Sequence, residues 1–287
     1  MKKIFTFFGL SAVTATLYAQ NPARSAAKDS LKLFLQPVEV RALRAGEKAP
    51  FTKIDIGKRE IETTNIGQDI PFLLSQTPSA VITSDAGNGV GYTGINIRGT
   101  DGSRINVTLN GIPYNDAEEQ AAFFVDLPDF ASSANSIQIQ RGVGTSSNGA
   151  GAFGATINFS TNEFNEKPYA ELNNSWGSYA TWKNTLKAGS GLIDGHFTVD
   201  MRLSRISSNG YIDRARSDLK SLYFSVAWFD KNSSLRFNIL QGKEKTYQAW
   251  NGIPQAKWDG NAAGLQQHYE NNIGSLYFTP QDSINLF

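Results

Sequence analysis

Arg98-Gly99 and Arg141-Gly142 share one setting. Each closes a short run in which isoleucine alternates with a polar residue, Ile95-Asn-Ile-Arg and Ile137-Gln-Ile-Gln-Arg. A guanidinium is permanently charged, and its planar fork of donors matches a carboxylate. Buried without a partner it would be strongly destabilising. Two readings follow: solvated arginines at strand ends, or interfacial arginines that meet carboxylates on another element.

Catalytic and metal chemistry find no comparable support. His196 and His268 are the only histidines and stand far apart, and there is no Cys, so no multi-histidine or thiolate metal centre is expected. Gly149-Ala-Gly-Ala-Phe-Gly154 fits G-x-G-x-x-G, but a dinucleotide site needs a helix to begin at those glycines. The β-branched Ala155-Thr-Ile-Asn-Phe-Ser that follows reads as a strand, so a Gly-rich turn is expected. Asp116, Glu118 and Glu119 form a small acidic loop, either solvated or touching a ligand. With 27 basic and 26 acidic side chains, no net field favours nucleic acid. The chain reads as a non-enzyme with no cofactor, no metal site and no nucleic-acid partner.

The elements that would position the arginines come next. Ile105, Val107 and Leu109 alternate with polar residues up to Asn110-Gly111, and Ile112 and Tyr114 resume beyond it, which predicts a hairpin on a type I′ turn. Val38 and Val40 suggest one short strand, and Phe51, Ile54 and Ile56 another. A brief helix is predicted after Asp69 as N-cap, with Pro71 in its first turn. A second short helix is expected over 128–133 and a strand over 137–140.

After Pro168 the period becomes two. Phe197, Val199, Met201 and Leu203 share a face opposite His196, Thr198, Asp200, Arg202 and Ser204. Leu222, Phe224, Val226 and Trp228 oppose Ser221, Tyr223 and Ser225. Leu235, Phe237 and Ile239 oppose Arg236 and Asn238, and Trp182, Leu186 and Ala188 oppose Lys183, Thr185 and Lys187. Short turns at 192–195 and 230–234 alternate with longer polar connections at 209–216 and after Trp250. A soluble sandwich would alternate too. Strand length near the ~9–11 residues of a tilted spanning strand, alternating short and long connections, and aromatics at strand ends such as Trp176, Trp182, Trp228, Phe229, Tyr247 and Trp250 favour a membrane barrel.

At the N-terminus, Lys2-Lys3 precede an apolar run from Ile4 to Leu17 and then Tyr18-Ala19-Gln20. That is an export signal expected to be cut after Ala19, giving a signal peptide at 1–19. The run is short against the ~20 residues of a spanning helix. Residues 20–37 follow as a flexible lead.

The order of motifs then becomes recognisable. Pro78-Ser-Ala-Val, Ile97-Arg-Gly, Val107-Thr-Leu-Asn-Gly-Ile-Pro and the run from Ile137 through Arg141-Gly-Val-Gly to Phe159 resemble the plug domain of TonB-dependent outer-membrane receptors, over residues 38–160. The segment 168–287 resembles the opening of that family's barrel, about five strands where plugged transporters have roughly 22. The resemblance implies an α+β plug domain followed by the first antiparallel strands of a transmembrane β-barrel, incomplete in this sequence and so a truncated receptor. It implies an outer-membrane location, contact with membrane lipid, and energised uptake of a siderophore or similar metal chelate, with haem or cobalamin as alternatives. The short lead favours metal complexes over oligosaccharides.

By the same resemblance, Arg98 and Arg141 latch the plug to barrel glutamates. The outward plug apices carry Asp85, Asn88, Tyr92, Asp101, Tyr114 and Asn115 toward ligand. A TonB-type periplasmic energy-coupling protein would pair by strand addition. The nearest candidate segment is 35–41 with Val38, Glu39 and Val40, although Pro37 interrupts the ladder and Val38–Val40 also reads as the first plug strand. Two other classes stay open from the residues alone: a small ungated outer-membrane protein, and a secreted β-rich binding module.

Overall fold

A computed structural model describes residues 44–46, 48–144, 151–161, 164–211, 215–246 and 255–272. The export signal, the lead, Val38, Glu39, Val40, Tyr247 and Trp250 lie outside the described residues.

The first half is built on a five-stranded sheet. Its strands are β1 (Lys53–Gly57), β4 (Ile105–Leu109), β5 (Ile112–Pro113), β6 (Ser136–Arg141) and β7 (Ala155–Ser160), in the order β1-β6-β7-β4-β5. A separate hairpin pairs β2 (Ala80–Ser84) with β3 (Thr93–Ile97). Two short helices, α1 (Lys58–Thr64) and α2 (Ile70–Leu73), and 3-10 turns at Phe124–Asp126 and Phe130–Ser133 pack on the sheet. One sheet face is apolar: Ile137, Ile139, Ile157 and Phe159 are buried against Ile61, Ile70, Leu74, Ile97 and Phe130. Phe130 meets Phe159 edge-on at 5.6 Å. Each such buried side chain contributes about 1.5–3 kcal/mol, so this cluster is the core that holds the half together.

The Asn110-Gly111 turn forms as expected, with both residues at positive φ (53° and 84°). The hairpin does not extend. β5 is two residues long, and the main partner of β4 is β7, parallel to it, with Val107 opposite Ile157. Pro113 lacks the N–H that would lengthen the β5 ladder. Asp69 precedes α2, but its carboxylate makes no cap; it accepts from Thr93 Oγ1 at 3.0 Å instead. The expected helix at 128–133 is a 3-10 turn, and α1 had no forecast. β7 follows Gly154 directly, as a strand and not a helix.

The second half is one antiparallel sheet in plain meander order: β8 (Tyr169–Gly177), β9 (Thr181–Gly189), β10 (Phe197–Ser208), β11 (Ser217–Phe229) and β12 (Ser234–Thr246). It is open at both edges and forms no closed barrel among the described residues. Two helices, α3 (Gln255–Trp258) and α4 (Ala262–Asn272), lie in the segment expected to be a long polar connection.

Burial of this sheet is inverted relative to a soluble protein. On β10, Phe197 and Leu203 of the apolar face are 46% and 44% exposed, whereas Thr198, Arg202 and Ser204 of the polar face are buried. The pattern repeats with Leu235 and Phe237 exposed on β12, Ser225 buried on β11, and Lys183 and Thr185 buried on β9. A sandwich would pack the apolar faces together. Here the polar face is covered by the first half of the chain, and the apolar face is left open.

Candidate functional site

The polar wall of β9–β12 is buried because residues of the first half reach across to it, and Asp129 is the centre of that junction. Asp129 sits between Pro128 and the Phe130–Ser133 turn in a left-handed conformation, φ 48°, which aspartate tolerates better than most residues. Its Oδ1 lies 2.9 Å from Lys183 Nζ on β9 and accepts from Ser132 Oγ at 2.6 Å. Its Oδ2 lies 3.3 Å from Arg202 Nη1 on β10 and accepts from Thr185 Oγ1 at 3.1 Å and from Ser204 Oγ. Arg202 also donates to the Asp129 carbonyl, and Lys183 Nζ to the Asn65 carbonyl at 3.1 Å. All three charged side chains are at most 4% exposed.

Burial pushes the Asp129 carboxyl up. The charges of Lys183 and Arg202 and the hydrogen bonds from Ser132 and Ser204 outweigh that and hold it at about 2. One carboxylate thus neutralises half of the charge of two buried cations. Nothing local in the sequence marked Asp129, because its charged partners are more than fifty residues away. The available signal was on the strands: Lys183 and Arg202 are cations on the polar faces of β9 and β10.

Three further contacts complete the seam. Tyr223 Oη donates to Thr161 Oγ1 at 3.2 Å. Thr161 is in turn held by Asn110 through two hydrogen bonds of 2.8 Å, which ties the hairpin turn to the wall. Gly242 of β12 lets Pro128 approach so closely that a Cβ there would stand 2.5 Å from Pro128 Cγ.

The two Arg-Gly motifs converge, but not on the wall. Arg98 is exposed, donates to Thr52 Oγ1 at 3.1 Å and lies against Gly142, where an added Cβ would be 2.5 Å from its Nη1. Arg141 is half-buried and donates to the Pro78 carbonyl at 3.2 Å, while its Nε is buried without a partner. Among the described residues neither forms an ion pair with a carboxylate.

The residues expected to face ligand divide between places. Asn88 Nδ2 donates to the Ala215 carbonyl in the long β10–β11 connection at 3.0 Å. Tyr92 lines a pocket of about 350 Å³ with Asp126, Glu244 and Thr246. Asp85 is exposed in the same loop. Asp101 is at the far end of the β2–β3 hairpin, just past Arg98, where it accepts from Ser103 N at 3.0 Å. Tyr114 Oη donates to the Phe123 carbonyl, and Asn115 bridges Val107 N, the Ile105 carbonyl and the Gln120 carbonyl. Tyr114 and Asn115 therefore brace their own loop. His196, expected on the inner wall, is in the turn before β10 with Nδ1 2.8 Å from the Phe229 carbonyl.

Residues 46–156 match the family model described as TonB-dependent Receptor Plug Domain. No curated protein is detectably similar in sequence. Solved structures are similar in fold. The ferric yersiniabactin uptake receptor FyuA from Yersinia pestis superposes with TM-score 0.52 at 13% identity, over 68% of this chain and 31% of that one. The copper transporter OprC gives 0.57 at 19%, over 70% and 31%. The ferric-catecholate import receptor Fiu from E. coli K12 gives 0.55 at 17%, over 68% and 27%. The chain spans about a third or less of the length of these structures. Residues 46–156 belong to the TonB-dependent receptor plug domain family, and the chain joins that plug to five antiparallel strands whose polar face it covers.

Proposed function

We propose that the chain forms the plug and adjoining wall of an outer-membrane receptor that takes up a siderophore or similar metal complex, with energy delivered by a TonB-type periplasmic protein. The inverted burial of β8–β12 carries the reading: an apolar face left open to lipid and a polar, charged face turned to the plug. A secreted module would not leave Leu172, Leu235 and Phe237 more than 60% exposed together. Arg98 and Arg141, side by side at one end of the plug, remain the proposed latch. Asn88 and Tyr92, beside the long connections, are the favoured ligand contacts, with Asp85 near them. The residues 38–40 are proposed as the segment that meets the energy-coupling partner. Copper and ferric-chelate transporters among the similar folds support a metal complex as cargo.

The test is deletion of the encoding gene, followed by uptake of iron supplied as ferric siderophores or haem, and of cobalamin. Loss of uptake of one compound is expected, restored by the gene on a plasmid. Unchanged uptake of all of them, with the protein fractionating away from membranes, refutes the reading.

A further inference from the structure

The outer face of β9–β12 carries a second feature beyond its apolar band: a row of cations in direct cross-strand register. Arg205 opposes Lys220, and Lys220 opposes Lys243. All three are exposed. Like charges directly opposite one another destabilise a sheet. Among the described residues, only Arg205 of the three forms an ion pair, with Asp218 at 3.3 Å. The row therefore sets three cations against one carboxylate and holds excess positive charge.

The next row toward the short turns is Leu172, Leu186, Leu203 and Leu222, one leucine on each of four adjacent strands. The two rows are about 7 Å apart along the strands. A groove of about 510 Å³ is lined by both, by the four leucines and the three cations together. A site for a soluble anion would need the cations and no leucines. Plain contact with hydrocarbon would need the leucines and no cations.

We propose that this groove binds a phosphate-bearing lipid, its phosphate on Arg205, Lys220 and Lys243 and its acyl chains along the leucine row. The proposal rests on the reading that this face meets a bilayer. It adds a specific headgroup chemistry, at the end of the wall from which the long connections leave.

The test uses flotation of the full chain, transferred from detergent, with vesicles of phosphatidylcholine alone or with phosphatidic acid. The wild-type chain should favour the phosphatidic acid vesicles. The Lys220→Gln/Lys243→Gln variant should lose about 25-fold of that preference, roughly fivefold for each lysine near an anionic surface. Its circular dichroism and its association with phosphatidylcholine should be unchanged. Lys231→Gln, in the β11–β12 turn at the opposite end, should behave as wild type. Equal association of wild-type chain with both vesicles overturns the phosphate site and leaves the bilayer reading intact. Displacement by inorganic phosphate alone overturns the lipid assignment. Association with neither vesicle overturns the bilayer reading, and the site with it.

Discussion

Replacing Asp129 by asparagine tests the junction most directly. The change preserves shape, tolerance of the left-handed backbone and most hydrogen bonding, and removes one charge. Lys183 and Arg202 would then be buried with no carboxylate within salt-bridge distance among the described residues. Breaking a buried pair by deleting one partner costs about 3–5 kcal/mol, and here two cations depend on one anion. The titration of Asp129 gives an independent bound. Its carboxyl is lowered from an ordinary 3.8 to about 2, which corresponds to about 2.5 kcal/mol of folded-state preference for the ionised form. Because the folded value is depressed, that stability is present above pH ~4 and is lost as pH falls through about 2. Urea unfolding of the full chain in detergent, followed by Trp fluorescence, should put Asp129→Asn about 3 kcal/mol below wild type at neutral pH. The variant should also lack the wild-type loss of stability between pH 4 and 2. Adding Lys183→Met should recover part of the loss, since an unpaired buried ammonium is removed. A neutral-pH difference below about 0.5 kcal/mol, the scale of ordinary surface changes, would refute the junction as a structural lock.

Other outcomes follow from the same structure. Burial raises the Asp69 carboxyl to about 7 against hydrogen bonds from Thr93 and the Gly91 backbone, so its contribution is complete below pH ~4 and is lost as pH rises through 7, by roughly 4 kcal/mol at most; Asp69→Asn should flatten that part of a stability-versus-pH profile. Asn110→Ala removes both Thr161 bonds at a residue with φ 53° and should cost about 2–3 kcal/mol, while Asn110→Gly, free of the backbone strain, should cost less in the same melts. Phe237→Arg, near the middle of the open apolar face, should leave unfolding in detergent nearly unchanged but weaken insertion into vesicles by about 2–4 kcal/mol, read by flotation.

Much of the architecture was legible because it depends on period and local turn chemistry. Alternation placed β9–β12 and identified both faces of each, and Asn110-Gly111 located its turn. What stayed hidden depends on distant partners. The pairing of β4 with β7 joins residues about fifty apart, and no local pattern distinguishes it from the shorter hairpin expected. Asp69 looked like a helix cap; Thr93, reached only after the β2–β3 hairpin closes, takes its side chain. Arg98 and Arg141 attracted notice because an isoleucine run seemed to bury them, yet the chain turns outward at Arg98 (φ 54°) and leaves its guanidinium in water. The charges that are deeply buried, Lys183 and Arg202, were visible as members of a polar face. Their anion was not, because it comes from another part of the chain.

The position of β7 has a consequence for biogenesis. It is the middle strand of its sheet, bonded to β6 on one side and β4 on the other, and it is the last of the five to leave the ribosome. Until residues 155–160 arrive, β1–β6 and β4–β5 are two unconnected ladders with bare edges, the kind of surface that invites pairing with other chains. The plug sheet thus has a keystone placed last. The moment of closure comes just before the first wall strand is made.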